Sequence, residues 1–273
     1  MSSPNEPRIP VLKERGVVNT DTSNKHHLRL ALFWALLGSL TALALFPYAL
    51  SLNPAVGQLP APLPVIAIAS ALQTGLLLIL LNWIGLRLGN SMGLDTPLAR
   101  ALVYRQPVPT LSKSAIKTAL IVGGVGGIVL IGLSLGFEPW MPPMASTTAL
   151  KIDFWKRILA SFYGGITEEL LVRLFGMTLI AWLLWKIFQG RRSEPSESIF
   201  WLAIVAAAIL FGVGHLPAAA SLWGLTPIVI FRTIVLNAML GIPFGFLYWR
   251  WGLEYAILSH FFADLVLHGI GGN

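Results

Sequence analysis

Apolar residues along this chain gather into seven long runs, separated by polar or proline-rich stretches. The runs are Leu28–Leu50, Pro64–Leu88, Ala115–Phe137, Lys151–Gln189, Ser198–Pro217, Pro227–Trp249 and Leu253–Ile270. A helix needs about 20 apolar residues to cross a bilayer, so the pattern predicts an all-α, polytopic transmembrane helical bundle of about seven spans. The first run is too long for the core of a signal peptide, and no small-x-small cleavage site follows it. The fourth run is too long for one crossing. At about 1.5 Å per residue it would measure about 58 Å, against a hydrocarbon core of about 30 Å. Its first turns, with Lys151, Asp153, Lys156 and Arg157, are therefore expected at the interface, with Ile158–Trp185 inside. Gly123-Gly124 and Gly126-Gly127 in the third run would let a neighbouring helix approach closely. Residues 1–27, broken by Pro4, Pro7 and Pro10, read as a flexible polar tail, and residues 28–149 as N-terminal transmembrane helices. The segment Asn90–Ser114 reads as a polar connection.

Composition agrees with this reading. Charged residues make up 11% of the chain, against roughly 25% in soluble domains, and mean hydropathy is +0.73. A lipid bilayer is the expected partner. There is no cysteine, so disulfides and thiolate ligands are excluded, and any metal would be held by His, Asp, Glu or water. The net charge of +7 is not a nucleic-acid signal. With the N-terminus in the cytosol, fourteen of the nineteen Lys and Arg fall in the tail and on the cytosolic side, as the positive-inside rule requires. Three fall outside, and Arg173 and Arg232 lie within spans.

Those intramembrane charges change the picture. Thr167-Glu168-Glu169-Leu170-Leu171-Val172-Arg173 sets three charged residues inside the fourth run, where burying a charge costs on the order of several kcal/mol. Glu169 and Arg173 are four apart and can pair on one helix face. Glu168 points about 100° away and is left free to take a proton from a water. His260 and Asp264 are also four apart, so the carboxylate could orient the ring, or both could face a reaction centre. His215 completes the set from a third span. Two glutamates, two histidines and an aspartate can activate a water and hold a polarised carbonyl. They would also suit a divalent metal such as zinc, with Glu168, His215, His260 and Asp264 as ligands and an open position.

Glu168-Glu169-x-x-x-Arg173, Phe211-x-x-x-His215 and His260-x-x-x-Asp264, in that order, resemble the motifs of the CPBP superfamily, which contains the type II CAAX prenyl endopeptidases. The stretch Gly241–Arg250 resembles the family's glycine-containing segment before the final motif. The likeness covers about residues 150–266 and implies a CPBP-like catalytic transmembrane core over 150–273. It implies an endopeptidase acting on a membrane-associated peptide or protein, lipidated or not, without a nucleic-acid partner. The expected setting is the plasma membrane of a prokaryote. In this reading Glu168 and His215 activate the water, His260 and Asp264 stabilise the oxyanion, and Glu169 and Arg173 support the site. The mechanism is either metallo or glutamic. Two positions depart from the pattern. Asp264 stands where the prenyl endopeptidases typically have Asn, and Leu174 stands where many members have glycine, which would narrow the site.

Other readings are set beside this one. Gly164-Gly165 could break the helix, with Thr167 capping a new one and the glutamates in its first turn. The same charged groups could form the relay of an ion-coupled transporter, although no repeat accompanies them. A noncatalytic membrane protein of the family, acting in peptide immunity, is the third possibility. His26 and His27 in the tail, and His268 near the end, read as ordinary solvated or interfacial groups. Arg232 has no obvious partner at helical spacing.

Overall fold

A computed structural model describes residues 24–52, 60–144, 152–190 and 193–270. The tail expected over residues 1–27 therefore lies, up to residue 23, outside the described residues, as do Lys151 and parts of three loops. Every described element is helical. The helices are α1 (Asn24–Ser51), α2 (Leu63–Asn90), α3 (Pro97–Tyr104), α4 (Lys113–Phe137), α5 (Phe154–Phe162), α6 (Thr178–Gln189), α7 (Glu197–Gly214), α8 (Leu216–Trp223), α9 (Pro227–Trp251) and α10 (Leu253–Ile270). A π-wound stretch joins α5 to α6, so Phe154–Gln189 is one continuous helix. Seven helices are long and apolar enough to cross a membrane. The protein is an integral, multi-pass helical bundle.

Burial is arranged for lipid rather than water. Leu72, Leu76, Leu77 and Leu80 on α2, and Ile121, Val125 and Ile128 on α4, are exposed, whereas Thr167, Glu169, Arg173 and His260 are buried. In hydrocarbon an apolar side chain gains nothing by turning inward, and polar groups must find partners inside the bundle. Close approach is made by small residues. A Cβ on Gly127 would meet the Ala263 carbonyl, and one on Gly123 would collide with that of Ser259. Gly123, Gly124 and Gly127 thus admit α10, the carrier of His260 and Asp264, while Gly126 faces Leu240 of α9.

Several boundaries differ from the hydropathy reading. α1 begins at Asn24 rather than Leu28, and His27 is buried within it rather than solvated in a tail. The connection Asn90–Ser114 contains α3. Its first amides, those of Leu98 and Ala99, donate to Glu254 Oε1 at 2.9 Å, and Asp95 pairs with Arg100 at 2.7 Å. A short amphipathic helix carries too little apolar sequence for a span-length window to find it. The fifth run does not stop at Pro217. α7 ends at Gly214, and α8 follows immediately with Pro217 in its first turn, a position where proline's missing N–H costs nothing.

Candidate active site

The helix does not break at Gly164-Gly165. It continues, but in π winding over Tyr163–Glu168 and Leu170–Met177, a form that occurs mostly as short bulges at functional sites. Thr167 does not cap anything. Its hydroxyl lies 2.6 Å from that of Thr41 and donates to the Gly38 carbonyl at 3.3 Å, tying the centre of α1 to the helix that carries the glutamates. Gly164 makes room for the functional side chains of α10. A Cβ there would collide with the Asp264 carboxylate and reach within 3.4 Å of His260 Nε2.

Glu169 and Arg173 pair, with Nη1 2.8 Å from Oε1 and both side chains essentially inaccessible. Arg173 Nη2 donates to the Gly241 carbonyl at 3.0 Å, and its guanidinium lies 5.1 Å from the Phe211 ring and 5.5 Å from that of Phe244. The same Glu169 Oε1 accepts from His260 Nδ1 at 2.7 Å. Glu169, not Asp264, is the carboxylate that orients this ring; Asp264 Oδ1 stands 3.7 Å from Nε2, beyond hydrogen-bond length. Phe244 stacks on His260 at 4.8 Å and 24°, and fixes the plane of the ring.

His215 sits at the junction of α7 and α8, where the chain turns at the end of a helix. Its Nδ1 is 2.9 Å from the Phe211 carbonyl. A carbonyl only accepts, so this partner puts the hydrogen on Nδ1 and leaves Nε2 with a free lone pair when the ring is neutral. That lone pair lies 3.8 Å from Glu168 Oε1, and the other Glu168 oxygen lies 3.7 Å from His260 Nε2. All six candidate residues are therefore brought together. Glu168 stands at the centre, partly accessible, with His215 on one side and His260 and Asp264 on the other.

A cleft of about 380 Å3 opens between the π-wound helix and α7. Glu168, His215 and Tyr163 form its polar end, and Leu171, Phe175, Ile180 and Leu210 line its apolar length. Leu174 does not narrow it, because that side chain is fully buried in the core and its carbonyl packs against Gly85 of α2. π winding shifts the register by which a helical wheel would assign faces. Arg232 donates to Ser134 Oγ at 2.6 Å and lies over the Trp223 ring, while His268 is half-buried with its ring edge-on to Tyr48. The sequence reading passed over Thr41 and Phe244, and took Gly164 as a helix break rather than as the seat of α10. Only Phe244 had a signal, lying in the Gly241–Arg250 stretch that resembled the family.

Among the described residues, no group of three or more His, Asp and Glu side chains is arranged to hold a metal ion. The separations between Glu168 and the two histidines leave room for a water held beside each gap. Residues 150–266 match the family described as type II CAAX prenyl endopeptidase Rce1-like, so the resemblance to the CPBP superfamily is borne out over that segment, which contains all six site residues. No curated protein and no solved structure matches the chain.

Proposed function

With a CPBP-type segment over residues 150–266 as the premise, we propose that the protein is a membrane-embedded endopeptidase in which Glu168 and His215 activate a water. The observation that carries this reading is the convergence of two acceptors, a Glu168 oxygen and His215 Nε2, 3.8 Å apart at the polar end of an apolar cleft. A water beside that gap can give one hydrogen to each acceptor, which turns its oxygen lone pair toward a carbonyl lying in the cleft. Water oxygen then bonds to the carbonyl carbon as its proton passes to Glu168. The carbonyl π electrons move to oxygen, giving the tetrahedral oxyanion. His260 is held with Nδ1–H on Glu169, so a proton on Nε2 makes it a donor to that oxyanion, and a protonated Asp264 can do the same. Collapse breaks the C–N bond as Glu168 returns its proton to the leaving nitrogen. Glu169 and Arg173 act through His260 and are positioning residues.

The apolar length of the cleft supports a substrate segment that is hydrophobic or lipidated, delivered from the bilayer. The Lys and Arg bias supports a cytosolic N-terminus, and the plasma membrane of a prokaryote is the setting proposed. The test is purification followed by incubation with membrane-associated peptides, lipidated and plain, comparing wild type with Glu168→Gln and His215→Ala. Cleavage by wild type alone supports the assignment. Equal cleavage by all three overturns it, as would wild-type vesicles that move ions across the bilayer in a Glu168-dependent way without cleaving any peptide.

A further inference from the structure

Outside the site, one buried charge has no ion-pair partner among the described residues. Arg157, the fourth residue of α5, is 8% exposed, and its Nε and Nη1 have no hydrogen-bond partner among the described residues. The nearest acid in sequence, Asp153, is engaged by Lys156 at 2.8 Å, and Asp264 belongs to the catalytic cluster. The guanidinium lies 5.7 Å from the Phe154 ring. α5 packs against α1 and α10, and from these come Tyr48, near the end of α1, and His268, in the last turn of α10. The two rings are 5.7 Å apart, edge to face, and each lies within electrostatic reach of Arg157. Three groups able to donate hydrogen bonds thus share one level of the bundle, and no carboxylate is bonded to any of them among the described residues.

That level is the membrane interface. Trp140, Phe154 and Trp155 are all more than half exposed there, forming the aromatic belt that marks headgroup depth. We infer that Arg157, with Tyr48 and His268, binds the phosphate of a membrane phospholipid seated between α1, α5 and α10. A guanidinium fork matches two phosphate oxygens, and the exposed remainder of the side chain is the way in from the lipid. A peptide carboxylate is less suited to this place. The substrate cleft runs from Tyr163 toward Ile180, away from Arg157 along the helix. The bound phosphate neutralises a charge that is otherwise costly to bury and pins the start of the helix that carries Glu168.

The test compares wild type, Arg157→Lys and Arg157→Met after delipidation in a neutral maltoside detergent. The readouts are native mass spectrometry and thermal unfolding, with dioleoylphosphatidylglycerol, dioleoylglycerol or inorganic phosphate added back. Wild type is expected to retain the phospholipid and to gain melting temperature from it but not from dioleoylglycerol. Arg157→Lys keeps part of the gain, and Arg157→Met loses both retention and gain. Equal retention and gain in Arg157→Met would overturn the proposal. So would a gain from dioleoylglycerol as large as that from the phospholipid, a comparison made on wild type that stands even if Arg157→Met fails to fold. The same gain from inorganic phosphate, or from a peptide with a free carboxy terminus, would assign the guanidinium to another ligand and overturn it as well. None of these readouts depends on catalysis.

Discussion

Replacing Glu169 by Gln tests how the buried support is built. Glu169 is fully buried, and one oxygen faces both Arg173 Nη1 at 2.8 Å and His260 Nδ1 at 2.7 Å. Gln keeps the shape and an oxygen that His260 can still reach, but removes the negative charge. Arg173, 1% exposed, then keeps only the Gly241 carbonyl and two ring faces. Breaking a buried pair by removing one partner costs about 3–5 kcal/mol, mostly because the remaining charge is left uncompensated. Removing both charges should cost much less, so Glu169→Gln combined with Arg173→Met is expected to recover most of that loss. The assay is a double-mutant cycle on unfolding in detergent micelles, for which residues in contact give coupling energies of about 0.5–3 kcal/mol or, for buried charges, more. Cleavage per folded molecule is expected to fall in both Glu169 variants, because a neutral amide no longer favours the second proton on the His260 ring. The reasoning is refuted if the double variant is as unstable as the two singles added together, or if Glu169→Gln unfolds like wild type.

Other outcomes follow from the same geometry. Glu168→Gln should lower the cleavage rate about 10²–10⁴-fold with an unchanged melting temperature, since the group is partly accessible and makes no direct hydrogen bond among the described residues; a matching loss of fold would show a structural role instead. Asp264→Asn should retain cleavage, because an amide donates to the oxyanion without needing a proton; complete loss would point to a carboxylate requirement. Prolonged chelation should leave the rate unchanged, and a loss that added zinc reverses would show that Glu168, His215, His260 and Asp264 close on a metal. Gly164→Ala should abolish cleavage while Gly136→Ala, where a Cβ meets nothing within 4 Å, does not; equal activity would mean α10 yields freely at the site.

The spans were legible because hydrocarbon imposes one requirement on every residue within it, and long apolar runs satisfy that requirement in plain view. The membership of the site was legible for the same reason, since each charge stands out against such a background. What the sequence left hidden was which group each side chain serves. Spacing of four joins Glu169 to Arg173 and His260 to Asp264, and both pairs lie on single helices. The bond from Glu169 to His260 crosses between helices 91 positions apart and has no periodicity to betray it. π winding was equally silent, because Tyr163–Met177 carries no residue that forbids ordinary helical turns. Leu174 was expected to narrow the site because many members of the resembled family have glycine there, yet its side chain is buried in the core. The helix α3 escaped because its stability comes from Glu254, far away in the chain, rather than from its own apolar content.

The packing of α10 against the glycines of α4 has a consequence for how the protein comes into being. Helices leave the ribosome in order, so Glu168, Arg173 and His215 enter the membrane before His260 and Asp264 have been synthesised. Until α10 finds its seat beside Gly123 and Gly127, Glu169 has no histidine to hold and Glu168 faces neither His260 nor Asp264. The buried cluster around Glu168 is therefore completed in a single late step, when α10 docks.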